Sequence, residues 1–438
     1  MDALKSQFSK LFGKPASGEE VVDLLGYQPL GVDVLLQNEA VDVENKVVDD
    51  PSKFHASKRP LFYVLTVLTV FIFFVTVSII PIADKVVFQG LKNGASSPFE
   101  YPLWVTVIQL VPIVVVLVVW SVFQHFFVDK GATQTLVFVD EEMVEHEVHV
   151  PRSWFFGPHF LFKCKHTALV GIFFGLKLGL TKWGLQVAPL NMHLLIDSLS
   201  IFWTYLFAFI WLRERPTLWE LIACAGCIAG SILISVDLSQ SLASPFVPVM
   251  INLLATVLLG LTVVALRHAC RILCPNLGRN KGPVSIVGEM SFMELTCFKL
   301  MFSAATVLPC ALLYEGFIKT PSVWGEFGDM TYVTWLLIFL GAAVTLVYQS
   351  NYVVLQALTM AGTTGVLSTM KIMSQLAGAE IAVKFLSSYT KLKTFNPTPI
   401  ALIGLIIIIA SSVMFALIKI VLHVREARNK GKHWFVRI

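Results

Sequence analysis

Long apolar stretches recur along the chain after residue 58 and constrain its fold more than any other feature. Each has about 20 residues or more, the length that an α-helix needs to cross the hydrocarbon core of a bilayer. Of the 438 residues, 56% are hydrophobic and 14% are charged, too apolar a balance for a soluble domain of this size. We therefore predict an all-α polytopic membrane protein with ten transmembrane helices, at about residues 60–82, 102–128, 166–187, 191–212, 217–236, 246–268, 291–314, 332–355, 362–386 and 398–423.

Lysine and arginine lie mainly in one alternate set of the loops between these stretches. Cytosolic loops of membrane proteins carry an excess of both residues. If the N-terminus is inside, the opposite side holds only Lys85, Lys92, Lys319, Lys391 and Lys393. We therefore predict that both termini are cytosolic, with an N-terminal tail at 1–58, an inner loop at 129–165 and a basic C-terminal tail at 425–438.

The inner loop contains a stretch, Val137 to Val150, in which apolar and acidic residues alternate. A period of two is typical of a β-strand, so we predict a small β-hairpin or an amphipathic strand there. The acidic residues and histidines of this stretch show no recognisable metal-ligand spacing, and we predict no metal site.

Two parts of the chain repeat each other. Aligning Leu185-Gln186 with Leu355-Gln356 places the hairpin of the third and fourth spans on that of the eighth and ninth, at an offset of about 170 residues. This offset equals five spans, and because five is odd the two halves must have opposite orientations. We therefore predict two inverted five-helix repeats, at 59–236 and 237–424. That plan is typical of secondary transporters, whose substrate site lies near the midplane between the halves.

A leucine-rich hairpin ending at Glu214-Arg215, followed by a span that contains glycines, occupies Gly184 to Ile234. This segment resembles the EamA-type repeat of the drug/metabolite transporter superfamily. Further patterns resemble its nucleotide-sugar and triose-phosphate translocator branch: Ile82 to Lys85 with Tyr101 to Gln109, Leu308 to Gly316, and Thr363 to Lys371. The resemblance implies that Lys371 contacts a substrate phosphate. Sugar-phosphate translocators have an arginine after this lysine, whereas Ile372 stands here, and the particular substrate stays open.

Four ionisable residues fall well inside predicted spans: Lys177, Asp197, Lys299 and Lys371. Charged groups at such depth are costly and normally face a partner or a water-filled cavity. Ion pairing is one explanation, with Lys177 on Asp197 and Lys299 on Glu294. Pairing among the four deep groups does not neutralise them, because three are lysines and only one is an aspartate. We predict that some positive charge is left for an anionic ligand, which lysine binds as a point charge.

Polar and aromatic side chains are further candidates for lining the same cavity. An aromatic ring can stack on a nucleobase and an amide can hydrogen-bond to it, although helix packing alone also explains any one of them. These candidates are Trp203, Tyr205, Tyr348, Gln349, Asn351, Ser374 and Gln375. The predicted substrate-binding set combines the four ionisable residues with Tyr348, Gln349, Asn351 and Gln375.

Together these features predict a secondary transporter that exchanges a phosphate-bearing metabolite, such as a nucleotide sugar, by alternating access. A carrier of amino acids or other small solutes, with structural lysines, is one alternative, and a non-transporting membrane scaffold is another. The sequence shows no nucleophile–base pair, metal-ligand cluster or phosphate-cradling glycine loop, so we predict neither an enzyme nor a cofactor. The predicted partners are a small anionic substrate and the lipid bilayer, with no nucleic acid; a homodimer is left open.

Two short patterns in the N-terminal tail concern the location of the protein. Glu20 to Leu25 resembles an acidic dileucine sorting signal, and Tyr27 to Leu30 resembles a tyrosine-based one. Sorting adaptors would then be partners of the tail, and the protein would lie in endosomes, lysosomes or vacuoles. The family resemblance instead implies the Golgi or the endoplasmic reticulum.

Overall fold

A computed structural model describes the chain at 59–92, 96–128, 133–139, 145–151, 154–157, 160–197, 199–212, 217–239, 246–273, 290–358, 361–386, 388–390 and 398–429. The sorting patterns predicted between residues 20 and 30 lie outside the described residues.

Helices form almost all of the described structure. In chain order, the first part contains α1 (Arg59–Gln89), α2 (Pro102–Phe123), β1 (Thr133–Val139), β2 (Glu145–Pro151), α3 (Phe160–Val187), α4 (Leu190–Asp197), α5 (Ser200–Trp211) and α6 (Leu218–Ser239). The second part contains α7 (Phe246–Leu273), α8 (Phe292–Cys310), α9 (Val323–Asp329), α10 (Tyr332–Leu358), α11 (Ala361–Leu386) and α12 (Pro399–Asn429). Two helices continue in π-helical form, α2 through Gln124–Val128 and α8 through Ala311–Ile318.

Six helices of the described part are long and apolar enough to cross a membrane. They are Leu68–Gln89, Pro102–Val128, Phe160–Val187, Phe246–Cys270, Phe292–Ile318 and Tyr332–Leu355. Shorter apolar helices lie at Ser200–Trp211, Leu218–Gly230 and Leu402–Phe415. By length and composition the chain is therefore a multi-pass integral membrane protein, as predicted; six helices of the described residues meet this test, and the ten predicted spans are not confirmed.

The fourth predicted span, at 191–212, is not one helix. It is divided into α4, which ends at Asp197, and α5, which begins at Ser200. Between them the Leu199 amide donates to the Ile196 carbonyl at 3.0 Å, a bond from residue i to i−3 that tightens the chain out of the α-helix. The turn before α4 is as short as predicted, because α3 ends at Val187 and α4 begins at Leu190.

The β-hairpin expected in the inner loop is confirmed. Strands β1 and β2 pair into a two-stranded sheet. They extend from residue 133 to residue 151, somewhat beyond the alternating stretch from which the hairpin was predicted.

The helices pack against one another as a bundle. Helix α3 packs against α2, α7 and α8, and α2 also packs against α8 and α10. Helix α11 packs against α4, α5 and α12, and α6 packs along α12. Helix α1 is joined to α10 by the Asn351 Nδ2 bond to the Thr69 carbonyl at 2.7 Å, and to α11 by the Gln375 Nε2 bond to the Val77 carbonyl at 3.1 Å.

Two glycines four residues apart let α6 approach α12 closely. A Cβ atom on Gly230 would lie 2.6 Å from the Gly404 carbonyl oxygen, and one on Gly226 would overlap the Ser411 hydroxyl. Small residues at this spacing are a common means of close helix packing in membranes. The contact between these helices therefore requires the absence of side chains at both positions.

Candidate functional site

An ion pair inside the bundle joins α11 to the break between α4 and α5. The Lys371 ammonium lies 2.5 Å from Oδ2 of Asp197. Lys371 is 5% exposed, so the contact is largely removed from solvent. Irregular backbone at membrane depth is tolerated where it is buried in protein or lines a cavity. The chain thus interrupts a helix at the residue that supplies the buried carboxylate.

A second lysine accompanies this pair without joining it. Lys177 on α3 is an electrostatic neighbour of both Asp197 and Lys371. Its side chain is partly exposed, and across the described part of the chain its ammonium makes no hydrogen bond or ion pair. The ion-pairing explanation for Lys177 is therefore wrong, because the Asp197 carboxylate contacts Lys371 and not Lys177.

Lys299 on α8 is buried, 1% exposed, and has polar and aromatic partners. Its ammonium donates to Oε1 of Gln349 at 2.7 Å and lies 4.6 Å from the centroid of the Phe174 ring. Within the ranges that the structure describes, no carboxylate lies at ion-pair distance from it. Lys299 is also an electrostatic neighbour of Lys177, so the three lysines form one positively charged region.

Glu294, which the ion-pairing explanation assigned to Lys299, is buried and pairs with Lys163 on α3 at 2.7 Å. The geometry of α8 explains the error. Residues 294 and 299 are five positions apart, which turns them about 140° from each other around a helix with 3.6 residues per turn. Glu294 therefore reaches Lys163 on α3, whereas Lys299 lies on a different side of α8, between Phe174 of α3 and Gln349 of α10.

The remaining predicted site residues are divided between the charged region and helix packing. Tyr348 is an electrostatic neighbour of Asp197, and its ring stacks on Phe73 with centroids 5.8 Å apart. Gln349 belongs to the site through Lys299. Asn351 and Gln375 instead hold α1 through its carbonyls. The Gln375 Oε1 atom is buried with no hydrogen-bond partner in the described chain.

Sequence reasoning missed a second buried charge cluster. Lys182 on α3 lies 3.0 Å from Oδ1 of Asp84 and also donates to Gln109, whose Nε2 is 3.1 Å from the same Asp84 oxygen. The span predicted at 60–82 ended too early, so Asp84 was assigned to a loop. The apolar residues Val86, Val87 and Phe88 after it were the signal that the helix continues to Gln89.

Lys85 was assigned to the same loop and is also buried in α1. Its ammonium donates to the carbonyls of Leu185 at 2.6 Å and Ala188 at 2.8 Å, at the end of α3. Free carbonyls at a helix C-terminus attract cations. Lys85 thus fixes the end of α1 to the turn between α3 and α4.

A cavity of about 660 Å³ lies at this end of the bundle. Its walls include Lys85, Trp183, Gln186, Glu315 and Lys319, and the lysines of the central region do not line it. The Glu315 carboxylate accepts the amides of Leu103 at 3.0 Å and Trp104 at 2.8 Å, which are otherwise unpaired in the first turn of α2. Among the described residues no group of three or more His, Cys, Asp or Glu side chains could hold a metal ion.

No family model matches this sequence, and no curated protein matches it either. A solved structure described only as "Crystal structure of protein" is similar to the chain, with 12% identity and a TM-score of 0.47. The similarity covers 80% of this chain and 98% of that one. A likeness at this level carries no argument about function. The length and apolar composition of its helices define a helical multi-pass membrane protein.

Proposed function

We propose that this protein is a secondary transporter that exchanges a phosphate-bearing metabolite, such as a nucleotide sugar, by alternating access. The central charged region carries the proposal. Three lysines, Lys177, Lys299 and Lys371, face one carboxylate, Asp197, so this region carries two positive charges when all four groups are ionised. Ionisable groups inside a membrane protein are expensive and mark substrate or ion pathways. An anionic ligand would offset this charge.

Helix packing supports the inverted repeat within this proposal. If α4 and α5 count as one interrupted segment and the short α9 is omitted, the described helices number ten, and they are numbered here as spans one to ten. Span three (α3) packs on span seven (α8), and span eight (α10) packs on span two (α2). An offset of five spans relates three to eight and two to seven, so these two contacts are equivalent under the repeat. Spans four and nine contact each other, as do spans five and ten. These contacts are those that a two-fold relation between five-helix halves would produce.

The position of the ion pair also fits such a carrier. In transporters built from inverted repeats, substrate sites lie between the halves, at discontinuous helices. Asp197 ends α4 at the interruption of span four, and Lys371 lies on span nine of the other half. The resemblance of Thr363 to Lys371 to the nucleotide-sugar and triose-phosphate branch adds a phosphate as the ligand group.

Both termini are proposed to be cytosolic, and the Golgi or endoplasmic reticulum is the proposed location. The cavity agrees with the alternation of the spans, because its lining brings together the ends of α1, α2, α3 and α8 that the predicted topology puts on one side. The lysine and arginine distribution alone supports the choice of that side as non-cytosolic. Endosomes, lysosomes or vacuoles are the alternative location if adaptors read the N-terminal tail.

A ligand screen by thermal unfolding tests the proposal. A ligand that binds the folded protein at a hundredfold excess over its dissociation constant stabilises it by about 2.7 kcal/mol. We expect nucleotides and nucleotide sugars to raise the unfolding temperature of the purified protein, and neutral sugars to leave it unchanged. Absence of any shift with phosphate-bearing compounds would argue against the proposed substrate class.

A carrier of amino acids or other small zwitterions is the second candidate, and the Lys371–Asp197 contact favours it. An ammonium and a carboxylate 2.5 Å apart could separate to receive the carboxylate and ammonium of an amino acid. The same screen distinguishes the candidates, since stabilisation by amino acids without stabilisation by nucleotides would select this one.

A further inference from the structure

Asp197 occupies the position at Lys371 that a ligand phosphate would need. Its carboxylate is the one described acidic group in contact with that ammonium, at 2.5 Å. It lies at the end of α4, where the chain leaves the α-helix before α5 begins at Ser200. A carboxylate on interrupted backbone can change its position with less loss of helical hydrogen bonding than one in the middle of a helix.

A destination for the displaced carboxylate is present as well. Lys177 is an electrostatic neighbour of Asp197 and, in the part of the chain that the structure describes, has no ion pair or hydrogen bond of its own. An ammonium in a partly buried site gains from a carboxylate partner. Transfer of Asp197 from Lys371 to Lys177 would therefore keep its charge compensated while Lys371 is released.

We infer that Asp197 is a resident counter-ion, meaning a carboxylate that pairs with Lys371 in the empty protein and is displaced to Lys177 by the phosphate of the substrate. The inference rests on the proposed transport function and adds to it the charge of the substrate. With Asp197 in place and all three lysines protonated, the central region carries two positive charges. A dianion neutralises the occupied region, whereas a trianion leaves an uncompensated negative charge in a site where unpaired charge is expensive.

The inference is tested with nucleoside monophosphates, which are dianionic at neutral pH, and nucleoside diphosphates, which are close to trianionic. Their dissociation constants are measured by isothermal titration for the wild type and for Asp197→Asn. We expect Asp197→Asn to bind the monophosphate roughly tenfold more tightly, within the range of about 5- to 150-fold usual for coupled sites. The preference for monophosphate over diphosphate should also shift towards the diphosphate. Unchanged or weaker binding, or an unchanged preference, would overturn the inference.

Asp84→Asn is the matched control, because Asp84 is also a buried carboxylate paired with a lysine, Lys182, at 3.0 Å. This variant should lose stability without gaining affinity for either nucleotide. Asp197→Glu keeps the carboxylate and should keep the wild-type preference. An equal gain of affinity in Asp84→Asn would contradict a specific role of Asp197.

The failure of this inference can be distinguished from that of the proposed function. If Lys371→Ala abolishes nucleotide binding while Asp197→Asn does not strengthen it, the transporter proposal stands and the counter-ion role is wrong. If the wild type binds no nucleotide, inorganic phosphate is used as the probe of Lys371 in the variant that lacks the Asp197 carboxylate. It should raise the unfolding temperature of Asp197→Asn more than that of the wild type or of Asp84→Asn. No such rise, or an Asp197→Asn protein that cannot be recovered folded even with phosphate present, overturns the counter-ion role.

Discussion

The ammonium of Lys299 and Oε1 of Gln349 lie 2.7 Å apart in the interior of the bundle, so a neutral amide is the hydrogen-bond acceptor of a buried cation. Burial of a charge against a neutral acceptor leaves that charge largely uncompensated. A protein selected for stability alone would gain from a carboxylate at this position. The absence of one at Gln349 agrees with a region in which positive charge is kept for a ligand.

Gln349→Glu should therefore stabilise the empty protein and weaken anion binding. The new carboxylate would form a charged hydrogen bond with Lys299, and such bonds contribute about 1.5–3 kcal/mol. It would also lower the net positive charge of the central region by one. The measurements are the unfolding temperature without ligand and the dissociation constant for a nucleotide; a rise in nucleotide affinity would contradict the role given to Lys299. Gln349→Met, which removes the acceptor without adding charge, should lower the unfolding temperature.

Lys163 and Glu294 are expected to be structural. Their side chains are buried and joined at 2.7 Å, at the ends of α3 and α8 away from the cavity. Removing one partner of a buried ion pair costs about 3–5 kcal/mol, whereas replacing both by apolar residues is often neutral. Lys163→Met and Glu294→Leu should each destabilise the protein, and the double variant should recover most of the loss. Additive losses in this double-mutant cycle would show that the two side chains are not coupled.

Close packing of α6 on α12 predicts that alanine destabilises the protein at one glycine position and not at another. A Cβ on Gly230 would meet the Gly404 carbonyl oxygen at 2.6 Å, whereas one on Gly325 in α9 would meet nothing within 4 Å. Gly230→Ala should cost about 1–3 kcal/mol, the usual range for overpacking. Gly325→Ala should be neutral or slightly stabilising, because alanine favours a helix more than glycine does. Equal unfolding temperatures for the two variants would be inconsistent with the packing described.

The proposed topology predicts opposite accessibilities for the cavity and the C-terminus. In sealed vesicles with the cytosolic face outward, protease should remove a C-terminal epitope. A membrane-impermeant thiol reagent should label Lys319→Cys only after the vesicles are permeabilised, since Lys319 lines the cavity at the opposite end. Labelling of Lys319→Cys in intact vesicles, beyond the labelling of the parent protein, would reverse the orientation.

Apolar stretches made the helices and the membrane class predictable. A stretch of this length and composition favours a membrane helix whatever other helices it packs against. Two features were not predictable in this way. The run 191–212 is apolar enough to suggest one span despite Asp197 within it, and the break after Asp197 became visible only from the helix bounds and the Leu199 amide bond to the Ile196 carbonyl. The end of α1 was misplaced because Asp84 and Lys85 were assigned to a loop, whereas α3 supplies Lys182 and free carbonyls for them.

Ion-pair partners were the least predictable part of the candidate site. The pairing of Lys299 with Glu294 was one explanation open from the sequence. The observed partner of Glu294 is instead Lys163, 131 residues away in sequence, because the direction of a side chain around the helix decides the contact. The depth of the lysines was more predictable than their partners, since a charge within an apolar stretch is visible without knowledge of its partner: Lys299 and Lys371 are buried and Lys177 is half-buried.

Exchange by purified protein in liposomes tests the central claim most directly. Vesicles loaded with a nucleoside monophosphate are supplied with a labelled nucleotide sugar, and uptake is compared among the wild type, Lys371→Ala and Lys384→Ala. Lys384 lies on the same helix as Lys371 but is exposed, so it controls for the loss of a lysine from α11. Uptake that depends on internal nucleotide, is lost in Lys371→Ala and is retained in Lys384→Ala is the predicted result. Full exchange by Lys371→Ala, or no anion exchange by the wild type, would contradict the account.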